Sequence, residues 1–167
     1  MVCPMSTLKF VGTVSLGLLT GVSYSLSTIT LPSLAVLPSA ARAARALATI
    51  QERATRRILT LASVSSISLV TCYTLASPRG KHPYLLWTAL VGLIGGQGVE
   101  YWFNGWTRFT LKRQSKETGY VEVESSEING EKVEAEMARE VRTQNVRTAV
   151  SLVGFLMGVV GIWGDGA

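Results

Sequence analysis

The stretch FVGTVSLGLLTGVSYSLSTITL, residues 10–31, decides the fold class of this chain. It contains 22 residues without a charged side chain and directly follows Lys9. At about 1.5 Å per residue, a helix of this length crosses a hydrocarbon layer roughly 30 Å thick. The run is also longer than the core of a signal peptide, which has roughly 7–15 residues. We therefore interpret it as a retained membrane span, although small residues at 39–41 leave a cleaved leader open.

Three further uncharged runs follow, near residues 58–76, 83–99 and 148–163. The second is rich in serine and threonine, whose hydroxyls can bond to the carbonyl four residues earlier or to a neighbouring helix. The third begins at Pro83, a residue type tolerated in the first turn of a helix, and Glu100 and a group of aromatic residues follow it. The sequence therefore predicts an all-α integral membrane protein with four transmembrane helices.

The composition agrees with a membrane protein rather than with a soluble helical bundle. Charged residues make up 16% of the 167 residues, whereas soluble domains usually have about 25%. A soluble bundle also needs a polar stripe along each helix, and none of the four runs offers a charged residue for one. The net charge of +5 comes from basic residues beside the apolar runs, where they would meet lipid headgroups. We expect the lipid bilayer as a partner and no nucleic acid.

The chain divides into a membrane region over residues 1–103, a polar connection over 104–147 and a last span with the C-terminus over 148–167. The connection is basic up to Lys116 and then acidic up to Glu127, and the acidic part is expected to be disordered. From about Glu131 to Arg147 the composition predicts a charged helix that continues into the fourth span. The plain interpretation of the whole connection is a solvated linker.

The distribution of basic residues predicts the topology. Four spans place both termini on one side of the membrane. The basic residues on that side are Lys9, Arg79 and Lys81. The two long connections lie on the other side with 13 basic residues. Because an excess of lysine and arginine near span ends marks the cytosolic face, we expect the long connections in the cytosol and both termini outside it.

Small residues spaced four apart predict how the spans pack. They lie on one face of a helix and let two helix backbones approach closely, which is the main way in which helices associate in lipid. Three spans carry such pairs of glycines, and the second span has a weaker version in Ala62 and Ser66. Whether these faces meet within one chain or between copies stays open, so a homo-oligomer is one possibility. The predicted helix-packing residues are Gly17, Gly21, Gly92, Gly96, Gly154 and Gly158.

One short motif in the acidic stretch predicts a protein partner. Tyr120 and Val123 place an aromatic and an aliphatic side chain three residues apart, flanked by glutamates. An extended segment of this kind can add a strand to the sheet edge of a partner, with its side chains in two pockets. The pattern is that of the core motif that binds ubiquitin-like autophagy modifiers, whose basic rim favours neighbouring carboxylates. We treat Tyr120 and Val123 as a candidate partner-binding motif.

The sequence contains no residue pattern typical of a catalytic, cofactor-binding or metal-binding site. Cys3 and Cys72 cannot be assumed to meet, and no metal-ligand spacing surrounds them. His82 is the single histidine and lies at a predicted membrane edge, and Glu100 is a lone carboxylate at a span end. We therefore predict no catalytic, cofactor-binding or metal-binding residues, no cofactor and no enzymatic activity.

Three segments of the chain resemble the fungal autophagy-related protein 33 family: SLGLLTG at 15–21, KHPYLLW at 81–87 and GVVGIWGDG at 158–166. The resemblance implies a non-catalytic protein of the mitochondrial outer membrane that supports mitophagy, the selective autophagy of mitochondria. It implies the autophagy machinery as a partner, through a ubiquitin-like modifier or an adaptor. Residues 112–147 show no clear match. The alternatives are a small transporter or channel subunit, an oligomerising membrane scaffold, and a location in the endoplasmic reticulum membrane.

Overall fold

The computed structural model describes residues 4–76, 81–105 and 130–164, and the described residues form four helices. Helix α1 covers Pro4–Leu34 and includes a π-helical turn over Leu26–Thr30. Helix α2 covers Ala40–Leu75. Helix α3 runs through Tyr84–Leu93, a second π-helical turn at Ile94–Gly98 and a final segment over Val99–Asn104. Helix α4 covers Gly130–Gly164.

The helix boundaries follow from local backbone chemistry. Ser39 has an extended backbone, and its carbonyl accepts the first N–H groups of α2. Pro83 precedes α3 and its carbonyl likewise accepts the N–H groups of the first turn, a place where the missing N–H of proline costs nothing. Gly105 ends α3 with a φ of +62°, which glycine adopts without the steric penalty of a side chain.

Three of these helices are long and apolar enough to cross a membrane: α1, α2 and α4. The prediction of four spans is therefore supported for three helices. The predicted span at 83–99 is also helical, but the helix that contains it, which includes Gln97 and continues through Glu100, is not among these three. The predicted disordered part of the connection falls within 106–129, outside the described residues.

Polar and apolar side chains in the four-helix part are distributed as in a lipid-facing bundle. The buried residues include many hydroxyls, such as Ser23, Ser65 and Thr88, which are fully buried. Large apolar side chains point outward on all four helices, among them Leu18, Ile67, Trp87, Leu156 and Val160. A water-soluble protein rarely leaves so much apolar surface exposed, whereas a bundle in lipid buries its polar groups and exposes its apolar ones.

The four helices pack as a ring. Helix α1 contacts α2 and α4, and α3 contacts the same two helices on the opposite side. Two apolar clusters lie inside. One centres on Leu16 and Cys72 near the outer end of α2, and the other joins Leu19, Ile58 and Ala62 in the middle of the ring. We call this part, which includes residues 58–75 of α2 and 148–164 of α4, the bundle.

Helices α2 and α4 continue well beyond the bundle. At about 1.5 Å per residue, the 36 residues of α2 measure roughly 54 Å, against a hydrocarbon thickness of about 30 Å. Their first halves pack on each other and on the end of α1 through an apolar core of their own, and we call this part the extension. Its core consists of Leu31, Leu34, Ala43, Leu47, Val133 and Met137.

Candidate functional site at the junction of bundle and extension

A buried arginine joins α3 and α4 where the bundle meets the extension. The side chain of Arg147 on α4 has no exposed surface, and that of Glu100 on α3 is 1% exposed. Arg147 Nη2 donates to Glu100 Oε2 at 2.5 Å, and Arg147 Nη1 donates to Gln144 Oε1 at 2.9 Å. The second carboxylate oxygen of Glu100 accepts from Asn104 Nδ2 at 2.9 Å. Each charge in the pair is therefore both paired and further hydrogen-bonded.

The network continues from Gln144 into the extension. Gln144 Nε2 donates to Glu140 Oε1 at 2.9 Å, and Gln51 Nε2 on α2 donates to Glu140 Oε2 at 3.0 Å. Nearby, Arg139 donates to the backbone carbonyl of Phe103 at the end of α3. Side chains of α2, α3 and α4 thus form one continuous set of hydrogen bonds. We call it the junction network; it consists of Gln51, Glu100, Asn104, Glu140, Gln144 and Arg147.

The π-helical turn of α3 supplies a further acceptor to this network. The Val99 N–H donates to the Ile94 carbonyl, five residues earlier. In a regular α-helix it would donate to the Gly95 carbonyl, four residues earlier. Arg147 Nε donates to that Gly95 carbonyl at 3.2 Å. The π-helical turn and the buried arginine are therefore linked. The turn takes the Val99 N–H away from the Gly95 carbonyl, and the guanidinium group of Arg147 supplies a donor to that carbonyl instead.

The junction network suits positioning rather than catalysis. The guanidinium group acts as a donor only, both carboxylates accept a hydrogen bond on each of their oxygens, and the remaining members of the network are amides. Within residues 4–76, 81–105 and 130–164, no group of three or more His, Cys, Asp or Glu side chains could hold a metal ion. What the network can do is fix α2, α3 and α4 relative to one another at one level.

Most of the predicted packing glycines lie between helices of the same chain. A Cβ atom at Gly96 of α3 would lie 2.2 Å from Ala62 Cβ of α2, and one at Gly92 would lie 3.1 Å from Leu16 Cδ2 of α1 and 3.6 Å from Ser66 Oγ of α2. A Cβ atom would also lie close to a neighbouring helix at Gly17, Gly154 and Gly158, near Phe155, Val91 and Thr13 respectively.

Two predicted features do not join this packing. A Cβ atom at Gly21 would meet nothing within 4 Å, and this glycine lines a shallow open groove on the outer face of α1. Tyr120 and Val123 lie outside the described residues, so the partner-binding motif stays a prediction.

The ion pair of the junction network could have been predicted from the positions of its two charged residues in the sequence. Glu100 ends the third predicted span and Arg147 directly precedes the fourth. Consecutive spans run in opposite directions, so these two ends lie on the same side of the membrane. An acid and a base at adjacent span ends are natural partners. The sequence analysis considers the two residues separately, with Glu100 as a lone carboxylate and Arg147 as one basic residue of the connection, and therefore does not predict that they pair.

Comparison with known proteins identifies the family. A model of the family described as autophagy-related protein 33 matches residues 1–118. Autophagy-related protein 33 of Gibberella zeae is 39% identical over 183 aligned positions, which cover 98% of this chain and 92% of that protein. The chain belongs to the autophagy-related protein 33 family. The resemblance found in the sequence is thereby confirmed, and membership supports a role related to autophagy.

The family model covers only part of the junction network. Residues 1–118 include Gln51 and Glu100, whereas α4 with Glu140 and Arg147 lies beyond this range and is covered only by the alignment with the Gibberella zeae protein. No solved structure matches the chain.

Proposed function

We propose that this protein is a non-catalytic, multi-pass protein of the mitochondrial outer membrane that supports mitophagy by presenting its cytosolic connection to the autophagy machinery. Family membership supports the link to autophagy. The observation that carries the presenting role is the extension, an apolar core built outside the bundle. Helix α4 begins at the far end of the extension, beside Ala40 of α2, so the described residues that flank positions 106–129 lie at the junction and at the tip of the extension.

The proposed topology has four spans, with α3 crossing the membrane beside α2 and α4. Helix α3 packs against α4 along its length and against α2 over Tyr84–Gly98, and its outward residues include Leu86, Leu90 and Leu93. Its one carboxylate, Glu100, is buried toward the ring rather than exposed to lipid. Because the basic residues are concentrated on the side of the extension, that side is assigned to the cytosol.

The decisive experiment replaces residues 112–128 with a glycine–serine linker of the same length. A longer deletion through residue 147 would also remove the half of α4 that carries Val133, Met137 and Arg147, and so would damage the fold itself. In cells that lack the endogenous protein, we expect the linker variant to restore mitophagy no better than an empty vector, measured by delivery of a mitochondrial reporter to the vacuole.

Two controls make this result interpretable. A variant in which residues 112–128 keep their composition in scrambled order separates a specific motif from mere charge and length. Imaging against mitochondrial and endoplasmic reticulum markers must show the wild type and both variants at mitochondria in similar amounts. Full mitophagy with the glycine–serine linker would instead support a transporter subunit or an oligomerising scaffold, and a purely reticular signal would contradict the proposed location.

The motif within this connection gives a second prediction. We expect the double substitution Tyr120→Ala, Val123→Ala to reduce capture of a ubiquitin-like autophagy modifier at least tenfold, because both apolar side chains would leave their pockets. The measurement is a pull-down of the full-length protein from detergent-solubilised membranes. Val121→Ala is the matched control, since it removes an apolar side chain from the same segment at a position that is not one of the two anchors of the motif. Equal capture of wild type and double variant would remove the motif from the proposal.

A further inference from the structure

The outward face of α2 is basic at the end of the extension and apolar in the bundle. Arg53, Arg56 and Arg57 are exposed, and they lie just before the part of α2 that belongs to the bundle. Further along the helix, Val64 is 39% exposed and Ile67 is 66% exposed. Residues spaced three, four or seven apart lie on one side of a helix. The three arginines and the two apolar residues therefore form one continuous strip on the outside of α2.

The aromatic end of α3 indicates where this strip meets the membrane surface. Tyr101 and Trp102 are 51% and 84% exposed, and exposed aromatic rings are typical of the boundary between hydrocarbon and headgroups. Gln97 of α3 donates to Ser63 of the antiparallel helix α2. Because Trp102 lies as far beyond Gln97 on α3 as residue 58 lies before Ser63 on α2, Trp102 is at about the level of Arg57.

The three arginines fall within the headgroup layer at this level. Arg53 precedes the first bundle residue of α2, Ile58, by five positions, which is about 7.5 Å along the helix axis. The headgroup region adds about 5–8 Å on each side of the hydrocarbon. A phospholipid whose acyl chains lie along Val64 and Ile67 therefore has its headgroup beside the arginines.

Few negative charges of the described residues compete for these arginines. Arg56 pairs with Glu52 at 3.2 Å, and both side chains are more than half exposed. Within residues 4–76, 81–105 and 130–164, no carboxylate lies within ion-pair distance of Arg53 or Arg57. The exposed glutamates of α4, at positions 131, 134 and 136, lie toward the tip of the extension. The strip therefore has a net positive charge at the level of the headgroups.

We propose that Arg53, Arg56 and Arg57 bind the headgroup of an anionic phospholipid whose acyl chains lie along Val64 and Ile67. A guanidinium group donates parallel hydrogen bonds to phosphate oxygens, and basic clusters beside a span attract lipids with a net negative charge. Phosphatidylcholine also has a phosphate, but its choline group cancels the charge, so the site discriminates against it. The proposal depends on α2 crossing the membrane, as in the proposed topology, and not on a role in mitophagy.

The test measures which phospholipid contacts α2 in a membrane. The purified full-length protein is reconstituted into phosphatidylcholine vesicles that contain a small fraction of a photoactivatable lipid, either phosphatidylglycerol or phosphatidylcholine, with a diazirine on the same acyl chain. After illumination, lipid adducts on residues 58–75 are quantified by mass spectrometry. We expect phosphatidylglycerol to label this segment at least about fivefold more than phosphatidylcholine, because one basic residue near an anionic headgroup contributes roughly that factor.

Two variants with the same loss of charge locate the site. In Arg53→Gln, Arg57→Gln, the preference for phosphatidylglycerol should fall to about twofold or less, because the two arginines without a carboxylate partner are gone. In Arg42→Gln, Arg45→Gln, two exposed arginines of α2 are removed at least eight residues further from the bundle, and the preference should stay at the wild-type level. Thermal unfolding in mild detergent checks that both variants are as stable as the wild type.

Three results would overturn the lipid site. Equal labelling of the wild type by the two lipids would show that the strip does not select an anionic headgroup. An equal loss of preference in both double variants would show that it follows the net charge of the protein rather than these arginines. The absence of adducts on residues 58–75 with either lipid would show that α2 does not face lipid, and would also contradict the proposed topology. The reporter assay of the linker variant measures mitophagy separately, so failure of this proposal and failure of the proposed function are distinguishable.

Discussion

Replacing Arg147 with alanine is expected to lower the free energy of unfolding by about 3–5 kcal/mol, because it leaves a buried carboxylate without its cation. Glu100 is 1% exposed and accepts from Arg147 at 2.5 Å, so the substitution removes the charged donor from a carboxylate that lies away from bulk solvent. The same substitution also leaves the Gly95 carbonyl without the guanidinium N–H. The measurements are thermal unfolding of the protein in mild detergent and its steady-state amount in cells.

Two further variants separate the charge effect from general damage to α4. Arg142→Ala removes an exposed arginine from the same helix and should change stability by no more than about 0.5 kcal/mol. The double variant Arg147→Met, Glu100→Gln removes both charges of the buried pair and should recover most of the stability lost by Arg147→Ala. If Arg147→Ala were as stable as Arg142→Ala, the ion pair would not be buried between α3 and α4.

The positions of the helices were largely predictable, whereas the extension was not. Runs without charge predict helices because an uncharged stretch of that length suits a hydrocarbon solvent, and all four runs are helical here. The buried face of α4 begins with Val133 and Met137 and continues through Glu140, Gln144 and Arg147. Such a face looks solvated in a single sequence, because its polar members become buried only through partners on α2 and α3.

The packing partners of the glycines could not be predicted for a related reason. A pair of small residues indicates a face that permits close approach, but it contains no information about which helix approaches. The approach of Gly96 to Ala62 depends on α2 and α3 being antiparallel neighbours, and Gly92 lies nearer to Leu16 of α1 than to Ser66 of α2. That relation is a property of the whole bundle rather than of either helix.

Gly96→Ala should be the most damaging of the small substitutions at the predicted packing glycines, with an expected loss of about 1–3 kcal/mol of stability. The new Cβ atom would lie 2.2 Å from Ala62 Cβ, well inside ordinary van der Waals contact, which begins near 3.4 Å. Both atoms are attached directly to helix backbones, so no side-chain rotation can relieve the contact. Helices α2 and α3 would have to separate, and the nearby hydrogen bond from Gln97 Nε2 to Ser63 Oγ would lengthen.

The matched comparison is Gly21→Ala, at a glycine where a Cβ atom would meet nothing within 4 Å. There, alanine should leave stability unchanged or raise it by about 0.5–1 kcal/mol, because glycine is the poorer residue inside a helix. The double variant Gly96→Ala, Ala62→Gly moves the methyl group from α2 to α3 and should recover part of the loss. Thermal unfolding in detergent measures all three. Equal stability of Gly96→Ala and Gly21→Ala would mean that α2 and α3 do not approach each other at Ala62, because a contact this close between two backbones cannot be absorbed without cost.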